Sequence, residues 1–187
     1  MLQRATITTL LLLTFAVLGA SQTFVAQSPD GRLEQVKLQL RTIVDVAQKT
    51  DKTQFGPNDE VTIQVLATNS AATQYVLVNW KSFIHYLPTL SKAHEIVPYS
   101  QAVQKRLDEV NRRAADTGGI SKDSAIVVKL PPNQMSEAGF ITLSSYYDKL
   151  EPGIYELKLQ FRERTGAKIE SDPIMFEVTS DSTLKSN

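Results

Sequence analysis

The stretch from Leu150 to Arg162 places the strongest constraint on how this 187-residue chain can fold. From Tyr155 to Arg162 apolar and polar residues alternate without a break, and successive side chains of an extended strand point to opposite faces. The apolar set is Tyr155, Leu157, Leu159 and Phe161. The pattern therefore predicts a strand with one face in the core and one face in water. Pro152 and Gly153 precede it and favour a turn, because Pro fixes φ and Gly tolerates a positive φ.

The spacing Leu-x-Pro-Gly-x-Tyr at the head of this strand resembles the tyrosine corner of immunoglobulin-like and fibronectin-like sandwiches. In that motif, a tyrosine near the start of a strand bonds its hydroxyl to backbone a few residues upstream. The resemblance implies that Tyr155 is largely buried and that its hydroxyl reaches the backbone near Leu150 to Pro152. It indicates an architecture and leaves the activity open.

The remaining periodicity predicts a mainly β protein, an antiparallel immunoglobulin-like or fibronectin-like sandwich of seven or eight strands with one inserted helix. A first long strand is predicted from Val36 to Val46, and a short edge strand from His94 to Val97. The third strand is predicted to turn Val76 inward, together with Val78 and Trp80. The inward residues expected to meet between the two sheets are Ile63, Val65, Val78, Trp80, Leu157, Leu159 and Phe176.

The hydrophobic period changes at about residues 99–116, where the inserted helix is predicted, with the periodic segment itself at 100–115. Its apolar stripe is Val103, Leu107, Val110 and Ala114, at intervals of four, three and four residues. Ser100 suits the N-cap, and Gly118-Gly119 suits the stop. Two roles are open. We favour a cover over an open end or edge of the sheets, because so narrow a stripe is usually satisfied within its own domain. The alternative is a docking element for a partner.

The N-terminus has the three parts of a signal peptide. A short basic start is followed by an apolar run from Ile7 to Leu18 and by small residues that suit cleavage after Ala20. The run is shorter than the ~20 residues of a membrane-spanning helix, so residues 1–20 are predicted to be a signal peptide rather than an anchor. The rest divides into a flexible leader at 21–33, the sandwich at 34–179 and a polar tail at 180–187.

Composition argues against several classes of function. Lys plus Arg equals Asp plus Glu at 20 each, so no basic excess attracts nucleic acid or an anionic membrane. The chain has no cysteine, which excludes disulfides, thiolate zinc sites, a cysteine nucleophile and a lipid-bearing cysteine. An exported chain that lacks both cysteine and Asn-x-Ser/Thr sequons suits a bacterial periplasm or the extracellular medium.

No set of residues has the spacing of a known site, so no catalytic, cofactor-binding or metal-binding residue is predicted. His85 and His94 lack the i, i+4 spacing of a helical zinc pair. Asn58-Asp59-Glu60 suits a polar turn, since it lacks the spaced carboxylates of a calcium loop. Ser144 to Asp148 suits a Ser-rich turn, since no G-x-S-x-G elbow surrounds it. Surface charges account for Asp108, Glu109, Arg112 and Arg113 on the helix and for Glu163, Arg164 and Lys168 at a hairpin tip.

The segment from Ser124 to Val178 resembles a family of exported bacterial immunoglobulin-like proteins. The matching residues are 126–132, 141–144, 147–148, 150–155, 170–174 and 176–178, and those from Asn58 to Ser70 look like that family's second strand and turn. The family has no general catalytic site, so the resemblance implies a structural or binding module. Residues 87–123 lie outside the resemblance.

We therefore expect an exported, non-enzymatic binding module whose partner is a protein or surface polymer of the bacterial envelope, or another copy. Residues 87–123 are the expected binding region, because insertions on a rigid sandwich commonly carry recognition. No cofactor, no nucleic acid and no membrane span in the mature chain are expected. The bacterial intracellular proteinase inhibitors share the tyrosine-corner spacing, which gives an alternative: an inhibitor that presents residues 86–90 as an exposed loop. An enzyme with a concealed site is the other rival.

Overall fold

A computed structural model describes residues 33–79, 85–117, 126–163 and 167–180. The predicted signal peptide, nearly all of the leader and of the tail, and Trp80 lie outside these residues. The described chain is mainly β, with antiparallel sheets and one α-helix, which confirms the predicted fold class.

Eleven strands and one α-helix, α1, make up the described residues. The strands are β1 (Val36–Ile43), β2 (Gln54–Phe55), β3 (Thr62–Asn69), β4 (Tyr75–Asn79), β5 (Tyr86–Lys92), β6 (Glu95–Ile96), β7 (Ile126–Leu130), β8 (Met135–Thr142), β9 (Gly153–Arg162), β10 (Lys168–Glu170) and β11 (Ile174–Val178). Helix α1 spans Gln101–Thr117, and 3-10 turns cover Leu33–Gln35 and Leu143–Ser145. Eight strands have five or more residues, in agreement with the predicted number, while β2, β6 and β10 are shorter.

The strands form two main sheets that share one hydrophobic core. The smaller sheet has the order β1-β3-β8 and is antiparallel. The larger has the order β2-β11-β9-β5-β6, with β10 also on β9, and it is antiparallel except where β2 meets β11. Strand β6 is the edge strand predicted at residues 94–97. Strands β4 and β7 form a separate antiparallel pair.

The predicted core is confirmed for the residues that the structure describes. Those at 2% exposure or less are Ile63, Val65, Leu157, Leu159 and Phe176. The side chains of Val78 and Trp80 lie outside the described residues. The register predicted for β3, β9 and β11 is therefore correct.

The parity predicted for β4 is wrong. Tyr75 and Leu77 are buried, whereas Val76 is half-buried, so the core receives the alternate set of side chains. The run from Tyr75 to Val78 is apolar at every position. Periodicity therefore gives no basis for choosing a face of this strand.

Strand β1 ends earlier than predicted, at Ile43. Val44 and Val46 are 40% and 49% exposed. The N–H of Val44 donates to the carbonyl of Thr50 at 2.9 Å, which turns the chain back along the edge of β1. The alternating valines therefore belong to a turn.

The segment at 86–90, expected as an exposed loop under the inhibitor alternative, is part of β5. This strand pairs with β9 over its whole length, and its Tyr86, Pro88 and Leu90 side chains are buried. Proline is tolerated there because its missing N–H would face away from β9, at the free edge of β5. The inhibitory loop at 86–90 is therefore a wrong prediction.

Tyrosine hydroxyls take the place of a neighbouring strand along this free edge. Its backbone groups would otherwise be buried without partners or open to another chain. The Tyr147 hydroxyl donates to the carbonyl of Pro88 at 2.6 Å and accepts the N–H of Leu90 at 3.1 Å. The Tyr99 hydroxyl donates to the same Pro88 carbonyl at 2.7 Å. The edge of β5 is thus closed by side chains.

A neighbouring tyrosine connects this closed edge to the start of α1. The hydroxyl of Tyr146 donates to the carbonyl of Tyr86 at 2.9 Å, and its backbone carbonyl accepts the N–H of Ser100 at 2.9 Å. Ser100 is the N-cap, as predicted, because its Oγ accepts the N–H of Val103 at 3.4 Å. The position of the helix start is therefore set by β5.

The tyrosine corner is present. Tyr155 is 2% exposed, and its hydroxyl donates to the carbonyl of Glu151 at 2.6 Å. Its ring stacks on Phe176 with 5.4 Å between centroids. Gly153 has a φ of 153°, which favours glycine and lets the chain enter β9 directly after the turn.

Tyr155→Phe should lower the free energy of unfolding by ~1–3 kcal/mol, because the Glu151 carbonyl loses its hydrogen bond inside the fold. Equilibrium denaturation measures the change. An unfolding midpoint equal to that of the unsubstituted protein would contradict a stabilising corner.

Tyr147→Phe should destabilise the fold by ~1–3 kcal/mol, because it removes the hydroxyl that pairs with the buried Leu90 N–H. Tyr99→Phe is the matched control. In this variant the Pro88 carbonyl keeps its hydrogen bond from the Tyr147 hydroxyl, so the free energy of unfolding should fall by less than about 1 kcal/mol. Equal losses in the two variants would show that the Leu90 contact adds nothing.

Candidate functional site

A cleft of about 490 Å³ lies where the turn before β3 meets the segment that leads into β9. Its lining residues are 56–61, 143–144, 147–150 and Val178. The cleft brings together two segments that the sequence analysis considered separately, the 58–60 turn and the Ser-rich 144–148 segment.

The 58–60 turn is held by its own contacts. The Asp59 carboxylate accepts a hydrogen bond from Lys52 Nζ at 2.7 Å and another from the N–H of Gly56 at 2.8 Å. The Lys52 contact, followed by that of Gly56, holds the pKa of Asp59 below its usual range. Among the described residues, no group of three or more His, Asp or Glu side chains is placed to hold a metal ion. The predicted polar turn agrees with this arrangement.

Two further pairs of polar groups in the cleft bind one another. Ser144 Oγ donates to the Glu60 carboxylate at 3.2 Å, and Lys149 Nζ donates to Asn58 Oδ1 at 2.8 Å. Neither histidine lines the cleft. Ser144 therefore has a surface hydrogen bond and no imidazole to act as its base, as expected for a turn.

The two histidines lie at opposite ends of β5. His85 is buried, with Nδ1 2.6 Å from the carbonyl of Arg162, so Nδ1 carries the proton. Its ring stacks on Phe161, and burial lowers the pKa of His85. His94 is exposed in the turn to β6, with a φ of 69°. They do not form a metal-binding pair.

Glu163, predicted as part of a charged hairpin tip, binds a core residue instead. Its carboxylate accepts the hydroxyl of Tyr75 at 2.6 Å. Burial, followed by this carboxylate, raises the pKa of Tyr75. Arg164 lies outside the described residues, and Lys168 is on β10. The sequence gives no signal for this contact, because its two partners lie on separate strands far apart in the chain.

Helix α1 is the predicted element with the most exposed surface. None of the side chains described between residues 101 and 112 is buried. Within the predicted stripe, Val103 packs against the core, whereas Leu107 and Val110 are half-buried. The side chain of Ala114 lies outside the described residues. Tyrosine hydroxyls, and not helix side chains, bond to the free backbone groups of β5, so the expectation that the helix covers an open end or edge of the sheets stays a prediction.

The charges on α1 are of both signs and pair locally. Arg112 lies 4.0 Å from Glu109, and Gln104 donates to Asp108 at 2.9 Å. These are the surface pairs expected at i, i+3 and i, i+4. No helix in the described ranges is both long and apolar enough to cross a membrane.

No protein-family model matches the sequence, and no curated protein matches it. A similar solved structure is the crystal structure of a Paenibacillus sp. cycloisomaltooligosaccharide glucanotransferase complexed with cycloisomaltoheptaose. It has a TM-score of 0.37 and 11% sequence identity. The alignment covers 78% of this chain and 14% of that chain. A likeness at this level carries no argument about activity.

The stability of the protein should fall as the pH drops below about 6.5, the usual pKa of histidine. Burial lowers the pKa of His85 in the folded state, so the unfolded chain takes up the proton first and stability rises with pH through this window. His85→Asn, whose amide can replace Nδ1–H, should flatten the profile between pH ~5 and ~7.5. Denaturant unfolding at each pH measures the free energy of unfolding.

His94→Asn is the control, because His94 is exposed and its positive φ suits asparagine. In this variant the free energy of unfolding should change with pH as steeply as in the unsubstituted protein. A profile for His85→Asn that has the same slope would show that His85 is not the titrating group.

Proposed function

We propose that this protein is an exported, non-enzymatic binding module of the bacterial envelope or medium, related to the exported immunoglobulin-like proteins that its strands resemble. We further propose that its partner is an envelope protein and that α1 recognises it. The observation that carries the proposal is the exposed state of the helix, whose described side chains include no buried residue.

The spacing of the half-buried residues supports recognition by α1. Val103, Leu107 and Val110 stand at i, i+4 and i+7, the anchor spacing of a helix that lies in an apolar groove. A helix of 17 residues is about 25 Å long, and most helical stability comes from packing of its apolar face. Val103 packs against the described core, and Leu107 and Val110 are partly exposed, so these two leave apolar surface that a partner could cover.

The charges around these anchors favour a protein over a charged polymer. Lys105 and Arg112 are exposed beside Asp108 and the half-buried Glu109. Such a rim has no dominant sign, so it would not attract a polyanion such as a nucleic acid. Mixed charge around an apolar stripe suits the polar rim of a protein–protein interface.

Other functions have less support. The inhibitor alternative loses its loop, because residues 86–90 belong to β5, with Tyr86, Pro88 and Leu90 buried. An enzyme would need polar groups free to act on a substrate, whereas Asn58, Asp59 and Glu60 in the cleft bond to neighbouring side chains. These observations support a binding role for the sandwich.

Leu107→Asp and Val110→Asp should each reduce capture of the partner at least about tenfold, since each removes one apolar anchor and places a charge in its contact. Immobilised protein is incubated with native envelope extract, and the captured proteins are quantified. Asn111→Asp adds the same charge on an exposed part of the helix and should bind normally. Equal capture by all the variants would contradict recognition by α1.

Replacing residues 101–117 with a flexible Gly-Ser bridge gives a second test. Tyr99 and Ser100 are kept, because they bond to Pro88 and Tyr146. The shortened protein should stay folded and lose its partner. Unfolding or aggregation would instead assign the helix a structural role. Export is tested separately by sequencing the N-terminus of the native protein, which should begin at Ser21.

A further inference from the structure

The outer face of the larger sheet exposes apolar side chains at one end. Strand register places one row across four strands: Met175, Glu156, Ser91 and Ile96. The next row holds Ile154 beside Glu177. Ile96, Ile154 and Met175 are 73%, 61% and 55% exposed. Neighbouring exposed apolar side chains on a rigid sheet are typical of an interaction surface.

The two ends of this face carry opposite charge. At the apolar end the charged members of the two rows are Glu156 and Glu177, and we call this the acidic end. Beyond it, β9 continues its outward alternation with Lys158 and Arg162, and register places Lys168 beside Arg162. We call these three cations, with Glu170 beside them, the basic end.

At the acidic end, Glu156 and Glu177 are half-buried, and the Glu177 carboxylate accepts a hydrogen bond from the amide of Gln54 at 3.1 Å, a neutral group that does not compensate its charge. Lys158, Arg162 and Lys168 are exposed, and the Glu170 carboxylate accepts a hydrogen bond from Gln160 at 3.0 Å. Lys158 lies 3.7 Å from Glu156 in an exposed pair, which holds neither group strongly. The face is therefore a rigid surface whose acidic and basic ends match one another.

We propose that this face is the interface of a two-fold symmetric dimer, in which the acidic end of each copy lies against the basic end of the second copy. The two-fold axis lies in the plane between the two faces and runs perpendicular to the strands. Rotation about it reverses the strand direction in the second copy, which brings each acidic end against a basic end. With the axis at the row of Lys158, Glu177 faces Lys168 of the second copy. The two Lys158 side chains meet at the axis, and Glu156, 3.7 Å from Lys158 in each copy, offsets their repulsion. Ile154 then lies against the aliphatic stem of Arg162 of the second copy.

A second copy fits this surface better than an unrelated partner. A face with both charges segregated is complementary to itself after the two-fold rotation, whereas a uniformly basic partner would be repelled by half of it. The formal charge of the whole chain is zero, so two copies do not repel one another at long range. The dimer also removes the exposed apolar side chains from water.

Sedimentation velocity of the exported protein, from about 1 to 200 μM, should show a dimer that dissociates on dilution, as expected for a modest interface. Glu156→Lys with Glu177→Lys makes the face predominantly basic, with Glu170 kept, and Arg162→Glu with Lys168→Glu makes it predominantly acidic, with Lys158 kept. Each double variant should associate at least tenfold more weakly than the unsubstituted protein.

An equimolar mixture of the two double variants should restore a dimer, because a basic face then meets an acidic face. Glu34→Lys with Lys129→Glu changes exposed charges elsewhere and should dimerise normally. Ile154→Ser and Met175→Ser should also weaken the dimer without unfolding the chain, since both side chains are exposed.

A protein that is monomeric throughout the concentration range would overturn the proposal, as would a mixture that fails to associate. A dimer that survives the charge variants would overturn this interface. Capture of a different protein on this face by a monomeric chain would also count against it. The Leu107→Asp variant should dimerise normally, so a failure of recognition by α1 and a failure of the dimer are distinguishable.

Discussion

The pair of hydrogen bonds made by the Tyr147 hydroxyl is the contact on which much of the larger sheet depends. It pairs with a carbonyl and an N–H on the outer side of β5, along the part that β6 does not cover. Strand β5 lies between β9 and the edge strand β6. Strand β9 is therefore flanked by β5 on one side and by β10 and β11 on the other. The same tyrosine cluster fixes Ser100 and thereby the start of α1. One group of aromatic side chains thus sets both the sheet edge and the exposed helix.

Local structure could be predicted from the sequence wherever one physical signal determines it. Apolar and polar residues alternate along β9, and the tyrosine-corner motif is contained within six residues. Ser100 caps the helix that directly follows it in the chain. The prediction failed where that signal is degenerate or comes from distant residues. The apolar run in β4 fits either face. Pro88 resembles a strand breaker until the tyrosines at the free edge of β5 are known.

The same reasoning explains what the sequence could not give about the candidate sites. Strand β2 has two residues, too few for a period, yet its Phe55 is buried against Phe176. The helix could be predicted, but its exposure depends on the closure of the β5 edge by other side chains. The charge match on the larger sheet needs the register of β10 and β11 on β9, which no local pattern determines. The helix and the sheet face are the two separate surfaces proposed for recognition.

Closing a strand edge with phenolic hydroxyls has a consequence for a protein exposed to a changing environment. Many proteins guard sheet edges with lysine or glutamate, whose repulsion weakens with ionic strength or with titration. The Tyr147 and Tyr99 hydroxyls are neutral, and burial raises the pKa of both groups above the usual tyrosine value. Their hydrogen bonds therefore persist in brine, in acid and in mildly alkaline water. The protection of this edge therefore does not depend on the ionic strength or on a narrow range of pH.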